Sequence, residues 1–198
     1  MKTICVYAGS NLGNHKEFKQ KANELGELIA ERGYRLVYGG SSIGLMGEVA
    51  NQVLARGGEA IGVIPKGLFI GEMAHPHLTQ LIEVNSMHER KAKMSELADG
   101  FIALPGGIGT FEELFEIYCW AQIGIHHKPI GVLNVQNYYQ SFIDLVRHSV
   151  DEEFANPSHL RLLSIATSPD VLLDKMETYT PPILGNKWKQ LDGQKAQR

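Results

Sequence analysis

The chain has 198 residues and a net charge of −3, and its acidic and basic residues are mixed along its length, which argues against non-specific nucleic-acid binding. Its two cysteines, Cys5 and Cys119, form neither a metal-binding spacing nor a disulfide framework, as expected in the reducing cytoplasm. The first apolar run, residues 4–8, is too short for a signal peptide or a membrane span. The sequence therefore predicts a soluble cytoplasmic protein that does not bind membranes.

Strand-like apolar runs alternate with amphipathic helical segments along the chain. The predicted strands cover residues 4–8, 35–38, 60–64, 81–84, 100–104, 130–134 and 162–166. The predicted helices cover residues 17–32, 86–98, 111–123 and 138–150, with another after the loop at 39–47 and a last one starting at Ser168 and Pro169. Such repeated βα units predict an α/β fold, a Rossmann-like doubly wound parallel sheet of about seven strands with helices on both faces.

These units form one predicted domain over residues 1–180, and residues 181–198, which lack apolar periodicity, form a predicted mobile tail. Ligands of such sheets bind at the carboxyl ends of the strands. Three loops should converge there: one with Gly9 and Ser10, one at residues 39–47 that includes Gly40, and one at residues 105–110.

Neither of the first two loops carries a standard cofactor fingerprint. Residues 9–13 lack the spacing of a dinucleotide-binding turn, and residues 39–47 lack the lysine of a P-loop. A mononucleotide is therefore a better candidate ligand than NAD or ATP with magnesium. For residues 39–47, a roomy turn that lets helix and strand pack closely is an equal alternative.

The third loop belongs to the motif PGGIGTFEE, residues 105–113, between a predicted strand and a predicted helix. Glycines let the backbone approach a ligand closely, and the unpaired amides at a helix N-terminus bind anions, phosphate above all. Two carboxylates, Glu112 and Glu113, follow directly, so they must face another part of the ligand, such as the sugar of a nucleotide. Alternatively the motif is only a capping box, with Thr110 as the N-cap and Glu113 reaching back.

Arg90 falls on the predicted apolar stripe of its helix, between Met87 and Met94. A guanidinium keeps its charge, so on this stripe it must reach solvent or meet an anion. Helical spacing places Lys91 beside it. Arg90 either forms an ordinary structural ion pair or meets Glu113 and a ligand at the sheet edge.

The motif MHERK, residues 87–91, followed by PGGIGTFEE resembles the paired signature of the LOG family. These proteins are cytokinin riboside 5′-monophosphate phosphoribohydrolases, long mislabelled as lysine decarboxylases. The loop at 39–47, the pair at 71–72 and the residues 120–122 also fit, and the resemblance covers about residues 2–179. One departure is Cys119, where plant relatives more often have a threonine that helps bind substrate.

The resemblance implies hydrolysis of the N-glycosidic bond of adenine-type nucleoside 5′-monophosphates, giving free base and ribose 5-phosphate. It implies that Arg90 and Glu113 are catalytic. The implied substrate-binding residues are Glu72, Lys91, Gly107, Ile108, Gly109, Thr110, Phe111 and Glu112. The loop argument adds Ser10, Gly40 and Gly106, and the catalytic pair is also expected to touch the substrate.

The chemistry agrees with these residue types. Breaking a ribosyl C–N bond builds positive charge on the sugar, which a carboxylate such as Glu113 stabilises while it activates the attacking water. Arg90 cannot act as a base but can hold Glu113 and ligand oxygens, and Glu72 is suited to ribose hydroxyls. The histidine pairs at 75/77 and 126/127 lack partner acids at ligand spacing, so no metal is expected, and no other cofactor is either.

A function of another class remains open: a nucleotide or molybdenum-cofactor carrier on the same fold, which binds without turnover and has no need of Arg90 and Glu113. The helix after Thr110 is apolar on two sides, which predicts a homodimer built on it. The alternative is that another helix of the same chain covers its second side. The two apolar sides are Phe111, Leu114, Phe115 and Tyr118, and Ile117, Trp120 and Ile123.

Overall fold

The computed structural model describes residues 1–67 and 74–184. The strands in this part of the chain are β1 (Thr3–Tyr7), β2 (Arg35–Tyr38), β3 (Ala60–Pro65), β4 (Gln80–Val84), β5 (Gly100–Ala103), β6 (Ile130–Leu133) and β7 (Leu163–Ala166). They form one 7-stranded sheet in the order β4-β3-β2-β1-β5-β6-β7, and every neighbouring pair is parallel. The predicted fold class is confirmed.

Helices cover both faces of this sheet. Those of the described residues are α1 (Lys16–Glu31), α2 (Gly44–Ala55), α3 (Met87–Leu97), α4 (Ile108–Gln122), α5 (Gln140–Asp151) and α6 (Pro169–Glu177). The core under α1, α2 and α6 takes Ile4 and Val6 from β1, whereas the core under α3, α4 and α5 takes Cys5 and Tyr7. Because alternate residues of a strand point to opposite faces and both faces are covered, the central strands are apolar except at the first residues of β1 and β2, Thr3 and Arg35.

Most predicted element boundaries lie within a residue or two of the observed ones. The last strand, predicted at 162–166, is observed to start one residue later, at Leu163, because a 3₁₀ helix occupies Pro157–Leu162. The predicted helix at 138–150 becomes a 3₁₀ turn at Val135–Asn137 followed by α5. A capping asparagine, Asn156, and the proline after it explain the first change, because together they favour a helical turn directly before the strand.

The capping-box interpretation of Thr110 and Glu113 is wrong. Helix α4 begins at Ile108, three residues earlier than predicted, and its N-cap is Gly107. Thr110 therefore lies inside the first turn, and Glu113 lies beyond it. The capping box predicted for α3 forms only in part, because Ser86 accepts from the Glu89 amide while the Glu89 carboxylate accepts from the amide of Asn85.

The strand order changes direction between β1 and β5. After β1 the chain adds β2, β3 and β4 on one side, and it then returns to add β5, β6 and β7 on the other. At such a switch point the loops after two adjacent strands separate to opposite faces and leave a crevice, where open α/β sheets bind their ligands. Here those loops are residues 8–15 and 104–107.

Some sequence-based predictions fall on residues outside the described ranges. Glu72 is one of them, and most of the predicted tail, residues 185–198, is another. None of the described helices combines the length and apolar character needed to cross a membrane.

Candidate active site

The three predicted loops meet above the carboxyl ends of the strands. The Gly9 amide donates to the Pro105 carbonyl at 3.0 Å, and the Met46 amide donates to the Gly9 carbonyl at 3.3 Å. Gly44 has a φ of +63°, and a Cβ atom there would lie 2.2 Å from the carbonyl carbon of Ser10. Only glycine tolerates both this conformation and this contact, so the second loop packs closely on the first.

A cleft of about 230 Å³ opens at the switch point between β1 and β5. Three predicted substrate contacts, Ser10, Gly106 and Gly107, line it. The full lining is Gly9, Ser10, Asn11, Leu12, Gly13, Phe18, Leu45, Pro105, Gly106, Gly107 and Tyr138. The loops at residues 9–13 and 105–107 thus supply mostly backbone to its wall, and aromatic and aliphatic side chains supply the rest.

The glycine turn, residues 105–110, leads into α4 at this cleft. The amides of Ile108, Gly109 and Thr110 belong to the first helical turn and so have no acceptor within the helix. Gly107, Ile108 and Gly109 are exposed, whereas Thr110 is buried. The Phe111 amide donates to the Gly107 carbonyl at 3.1 Å, so this amide is not one of the free donors of the turn. The turn therefore offers backbone donors at the positive end of a helix dipole.

Arg90 and Glu113 form the charged centre of the candidate site. Arg90 Nη1 lies 2.8 Å from Glu113 Oε1, and the two side chains are 12% and 11% exposed. Arg90 Nε also donates to the Val63 carbonyl at 3.1 Å, at the end of β3. A Cβ atom at Gly39 would lie 2.2 Å from Arg90 Nη2, so the glycine after β2 makes room for the guanidinium.

Two opposing effects act on the pKa of Glu113. Burial raises the pKa of its carboxyl group, and the charge and hydrogen bond of Arg90 offset only part of that increase. Helix α4 connects this carboxylate to the glycine turn. From Ile108 to Glu113 the helix axis rises by about 7.5 Å, at 1.5 Å per residue. Neither Arg90 nor Glu113 lines the cleft itself, so the charged pair and the cleft are connected through α4 and its glycine turn.

Glu112 faces a second cation on α3. Lys91 Nζ pairs with Glu112 and also lies 2.9 Å from Glu116 Oε1. Burial alone would lower the pKa of Lys91, but its hydrogen bonds to these two carboxylates outweigh burial and leave the pKa raised. Both acids of the motif are thus paired with neighbouring cations of one helix, and neither one faces the glycine turn as a free charge.

Gly40, predicted to bind substrate, packs closely on Ile64 and forms a backbone hydrogen bond with His75. Its φ is +79° and a Cβ atom there would lie 2.7 Å from the Ile64 side chain. Its carbonyl accepts from the His75 amide at 2.8 Å, and His75 Nε2 lies 2.9 Å from Asn51 Oδ1 on α2. The segment after residue 73 is therefore fastened to the second loop. No group of three or more metal-ligating side chains occurs among the described residues.

Several residues of this region escaped the sequence interpretation. Glu116 is one, although its spacing of four from Glu112 on the same helix indicates a shared partner. Tyr138 and Tyr139 are others: their hydroxyls donate to the carbonyls of Gly106 and Leu104, respectively. No local sequence pattern predicts these two hydrogen bonds, because they join residues more than thirty positions apart.

Comparison with protein families identifies the group to which the chain belongs. A family model described as possible lysine decarboxylase matches residues 46–176. A probable cytokinin riboside 5′-monophosphate phosphoribohydrolase of Oryza sativa subsp. japonica is 46% identical over 180 residues, 91% of this chain and 72% of the relative. A cytokinin riboside 5′-monophosphate phosphoribohydrolase of Arabidopsis thaliana is also 46% identical over 180 residues, 91% of this chain and 84% of that protein.

Solved structures share the fold at lower identity. The molybdenum cofactor binding protein of Rippkaea orientalis superposes with a TM-score of 0.66 and 20% identity, covering 90% of this chain and 97% of that one. The molybdenum cofactor carrier protein of Chlamydomonas reinhardtii gives a TM-score of 0.64 and 21% identity, covering 89% and 96%. The structural likeness extends to the fold alone, whereas the sequence identity decides the family: the chain belongs to the LOG family of cytokinin riboside 5′-monophosphate phosphoribohydrolases.

Proposed function

We propose that this protein hydrolyses the N-glycosidic bond of adenine-type nucleoside 5′-monophosphates, including N6-prenylated ones, to free base and ribose 5-phosphate. One observation carries the proposal: a nearly buried Arg90–Glu113 pair lies one and a half helical turns from a glycine turn suited to phosphate. The curated relatives with 46% identity, named for this reaction, support it.

In the proposed reaction, Glu113 works on the sugar side of the bond. As the C1′–N bond breaks, its electron pair goes to the base, which takes up a proton from solvent, and positive charge develops on the ribose ring. The Glu113 carboxylate stabilises that charge and accepts a proton from the water that attacks C1′. Its raised pKa, caused by burial, suits a carboxylate that must gain and release a proton.

Arg90 keeps Glu113 in place without exchanging protons. Its fork donates to the Val63 carbonyl and to Glu113, so the carboxylate has a fixed orientation before substrate arrives. Lys91, Glu112 and Glu116 form a neighbouring charge cluster that borders the same edge. As substrate contacts, Lys91 and Glu112 would exchange part of this pairing for oxygens of the ligand.

The glycine turn supplies the proposed phosphate site. The free amides of Ile108, Gly109 and Thr110 point out of the N-terminus of α4, and Ser10 lines the adjoining cleft. A phosphate bound there holds the ribose near Glu113, several bonds away. Gly40 and Glu72 complete the proposed set of contacts, the latter for ribose hydroxyls. This mechanism requires no metal or cofactor.

The family model's description, possible lysine decarboxylase, fits the site less well. A lysine that forms a Schiff base with pyridoxal phosphate needs a lowered pKa so that a neutral amine is available. Lys91, which borders the site, has a raised pKa because two carboxylates hold its charge. A carrier function, in turn, gives no reason for the nearly buried Arg90–Glu113 pair, and the carrier proteins in the comparison share only the fold with this chain.

Chromatography of reaction products tests the proposal. The purified protein is incubated with AMP and, separately, with isopentenyladenosine monophosphate, and the mixture is assayed for free base and ribose 5-phosphate. We expect both products in equal amounts, and their formation at least about a hundredfold more slowly with the Glu113→Gln protein. Intact nucleotide after prolonged incubation with folded enzyme would overturn the proposal, and tight binding without turnover would favour a carrier.

We also propose that the protein is a cytoplasmic homodimer that contacts its partner through α4. One side of this helix packs on the sheet through Leu114, Ile117 and Tyr118, but Phe115 and Ile123 remain exposed. A groove of about 200 Å³ continues this apolar surface between α4 and α5. Light scattering at micromolar concentration should give twice the chain mass, and the monomer mass would refute the dimer.

A further inference from the structure

Each carbonyl group of residues 104–106 has its own hydrogen-bond donor. Tyr139 donates its hydroxyl to the Leu104 carbonyl at 2.6 Å, the Gly9 amide donates to the Pro105 carbonyl at 3.0 Å, and Tyr138 donates its hydroxyl to the Gly106 carbonyl. The backbone entering α4 is therefore fixed on its carbonyl side at three consecutive peptide groups.

Fixing a carbonyl also fixes the amide of the next residue. In a trans peptide group the C=O and the following N–H point in opposite directions. The hydrogen bond from Tyr138 thus turns the Gly107 amide away from Tyr138. The hydrogen bond from Gly9 likewise turns the Gly106 amide away from Gly9. The Tyr139 contact orients no amide, because the residue after Leu104 is Pro105, which has no N–H.

Tyr138 is held firmly in the position that this contact needs. Its ring packs edge-on against Phe18, with centroids 5.8 Å apart, and is stacked against Phe111 at 6.2 Å. The two residues before it have positive φ angles, 53° at Gln136 and 56° at Asn137. Asparagine tolerates this left-handed conformation, but glutamine adopts it at an energetic cost, and such strain concentrates where a precise placement is needed.

We propose that Tyr138 is a positioning residue for phosphate recognition: its hydroxyl orients the Gly106–Gly107 peptide group so that the Gly107 amide joins the amides of Ile108, Gly109 and Thr110 at the 5′-phosphate of the substrate. This proposal rests on the function proposed above. It separates two adjacent tyrosines that make chemically similar bonds, because only the one at 138 controls an amide. Tyr138 also lines the cleft itself, whereas Tyr139 is buried behind it.

The test compares Tyr138→Phe with Tyr139→Phe, each of which loses one hydroxyl and keeps its ring. Calorimetric titration with ribose 5-phosphate needs no turnover and measures the phosphate site directly. We expect Tyr138→Phe to bind ribose 5-phosphate about 3- to 10-fold more weakly, the usual effect of one neutral hydrogen bond, and to lower kcat/KM for AMP more than for adenosine. Tyr139→Phe should lower the melting temperature and leave the affinity for ribose 5-phosphate near that of the wild type.

Each outcome has a distinct meaning. Equal affinity of the wild type and Tyr138→Phe for ribose 5-phosphate would overturn the positioning role, as would an equal loss in both variants, which indicates a general structural effect. Failure of the wild-type protein to bind ribose 5-phosphate would overturn it too. A wild type that binds ribose 5-phosphate more tightly than Tyr138→Phe but releases no base from AMP would overturn the proposed reaction and leave the positioning role intact.

Discussion

The two edges of the sheet each carry an arginine–carboxylate cluster, and the clusters differ in setting. At the carboxyl edge, Arg90 and Glu113 form a pair with side chains 12% and 11% exposed. At the amino edge, Arg32 contacts Asp174 at 2.7 Å and Glu177 at 2.9 Å; the arginine is 24% exposed, and the acids are 67% and 38% exposed. The same residue types thus form a nearly buried pair at one edge and a solvent-exposed cluster at the other.

The pKa directions of the two glutamates reflect this difference. Hydrogen bonds from Tyr34 and Arg32 hold the pKa of Glu177 below its ordinary value, whereas burial raises that of Glu113 in spite of Arg90. Exposed pairs contribute about 0–1 kcal/mol each, and buried pairs frequently cost more in desolvation than they return. Stability therefore accounts for the amino-edge cluster, and the carboxyl-edge pair needs a functional explanation.

The largest expected effect follows from neutralising one glutamate at each edge. Glu113→Gln keeps the shape and the helix position but cannot stabilise a cationic sugar or accept a proton, so kcat should fall by about 10²–10⁴-fold. Steady-state assays with AMP measure this loss, and circular dichroism checks that the variant is folded.

Glu177→Gln is the matched control at the amino edge. It should keep wild-type kcat and lose at most about 1 kcal/mol of unfolding free energy. Near-normal turnover by folded Glu113→Gln, or an equal loss of turnover in both variants, would remove the distinction between the edges.

A smaller effect is expected from Arg90→Lys. Lysine keeps the charge but cannot hold Val63 and Glu113 together with one planar fork, so kcat/KM should fall by about 10- to 100-fold. Because Arg90 opposes the effect of burial, a weaker partner raises the pKa of Glu113 further. The carboxylate is the active form, so activity should be lost at a higher pH on acidification than in the wild type.

The pH dependence of kcat/KM measures this shift directly. Arg32→Lys should leave the acid side of the profile unchanged, since the observed contacts of Arg32 are with Asp170, Asp174 and Glu177 of α6 and not with Glu113. A profile of Arg90→Lys with the wild-type acid limb would show that Arg90 does not control the ionisation of Glu113.

The smallest effects concern two histidines with the same bonding pattern at opposite edges. His75 accepts at Nδ1 from the His77 amide and His126 accepts at Nδ1 from the Lys128 amide, both at 3.2 Å, so each ring is neutral. Burial lowers the pKa of both, with His77 adding to the effect at His75 and Lys128 at His126. Below about pH 6.5 the unfolded chain takes up protons that the folded chain does not, and stability decreases.

Urea unfolding at about pH 7.5 and about pH 5.5 should therefore give a lower unfolding free energy at the acidic pH, and a smaller difference in His75→Gln and in His126→Gln. Only the first variant should raise KM for AMP, by about 3- to 10-fold, because the His75 side chain attaches to Asn51 of α2 the segment whose backbone amide holds Gly40 of the second loop. The exposed His148→Gln serves as the control. Unchanged KM in His75→Gln would separate that loop from substrate binding.

The sequence was sufficient for the fold because alternating apolar runs and helical stripes are local signals. It also indicated the meeting of Arg90 with Glu113, since Ser86 and Thr110 were expected to start neighbouring helices, and this contact is observed at 2.8 Å. The start of α4 was misjudged because Thr110 and Glu113 imitate a capping box, while the true N-cap, Gly107, has no side chain to reveal it.

The contacts of Tyr138, Tyr139 and His75 with distant segments could not be predicted. The bonds of Tyr138 and Tyr139 to the backbone before α4, and that of His75 to α2, depend on how βα units are placed beside one another. Met87, expected on the apolar stripe of α3, is exposed, because that helix turns only Met94 fully into the core. Local periodicity could not distinguish these two methionines.

The most direct test of the whole account is the ratio of kcat/KM for AMP to that for adenosine under identical conditions. If the glycine turn binds the phosphate and so holds the ribose against Glu113, AMP should be favoured at least about a hundredfold, because two or three charge-assisted hydrogen bonds are absent with adenosine. A ratio near one would mean that the turn is purely structural and would contradict the link between the cleft and the Arg90–Glu113 pair.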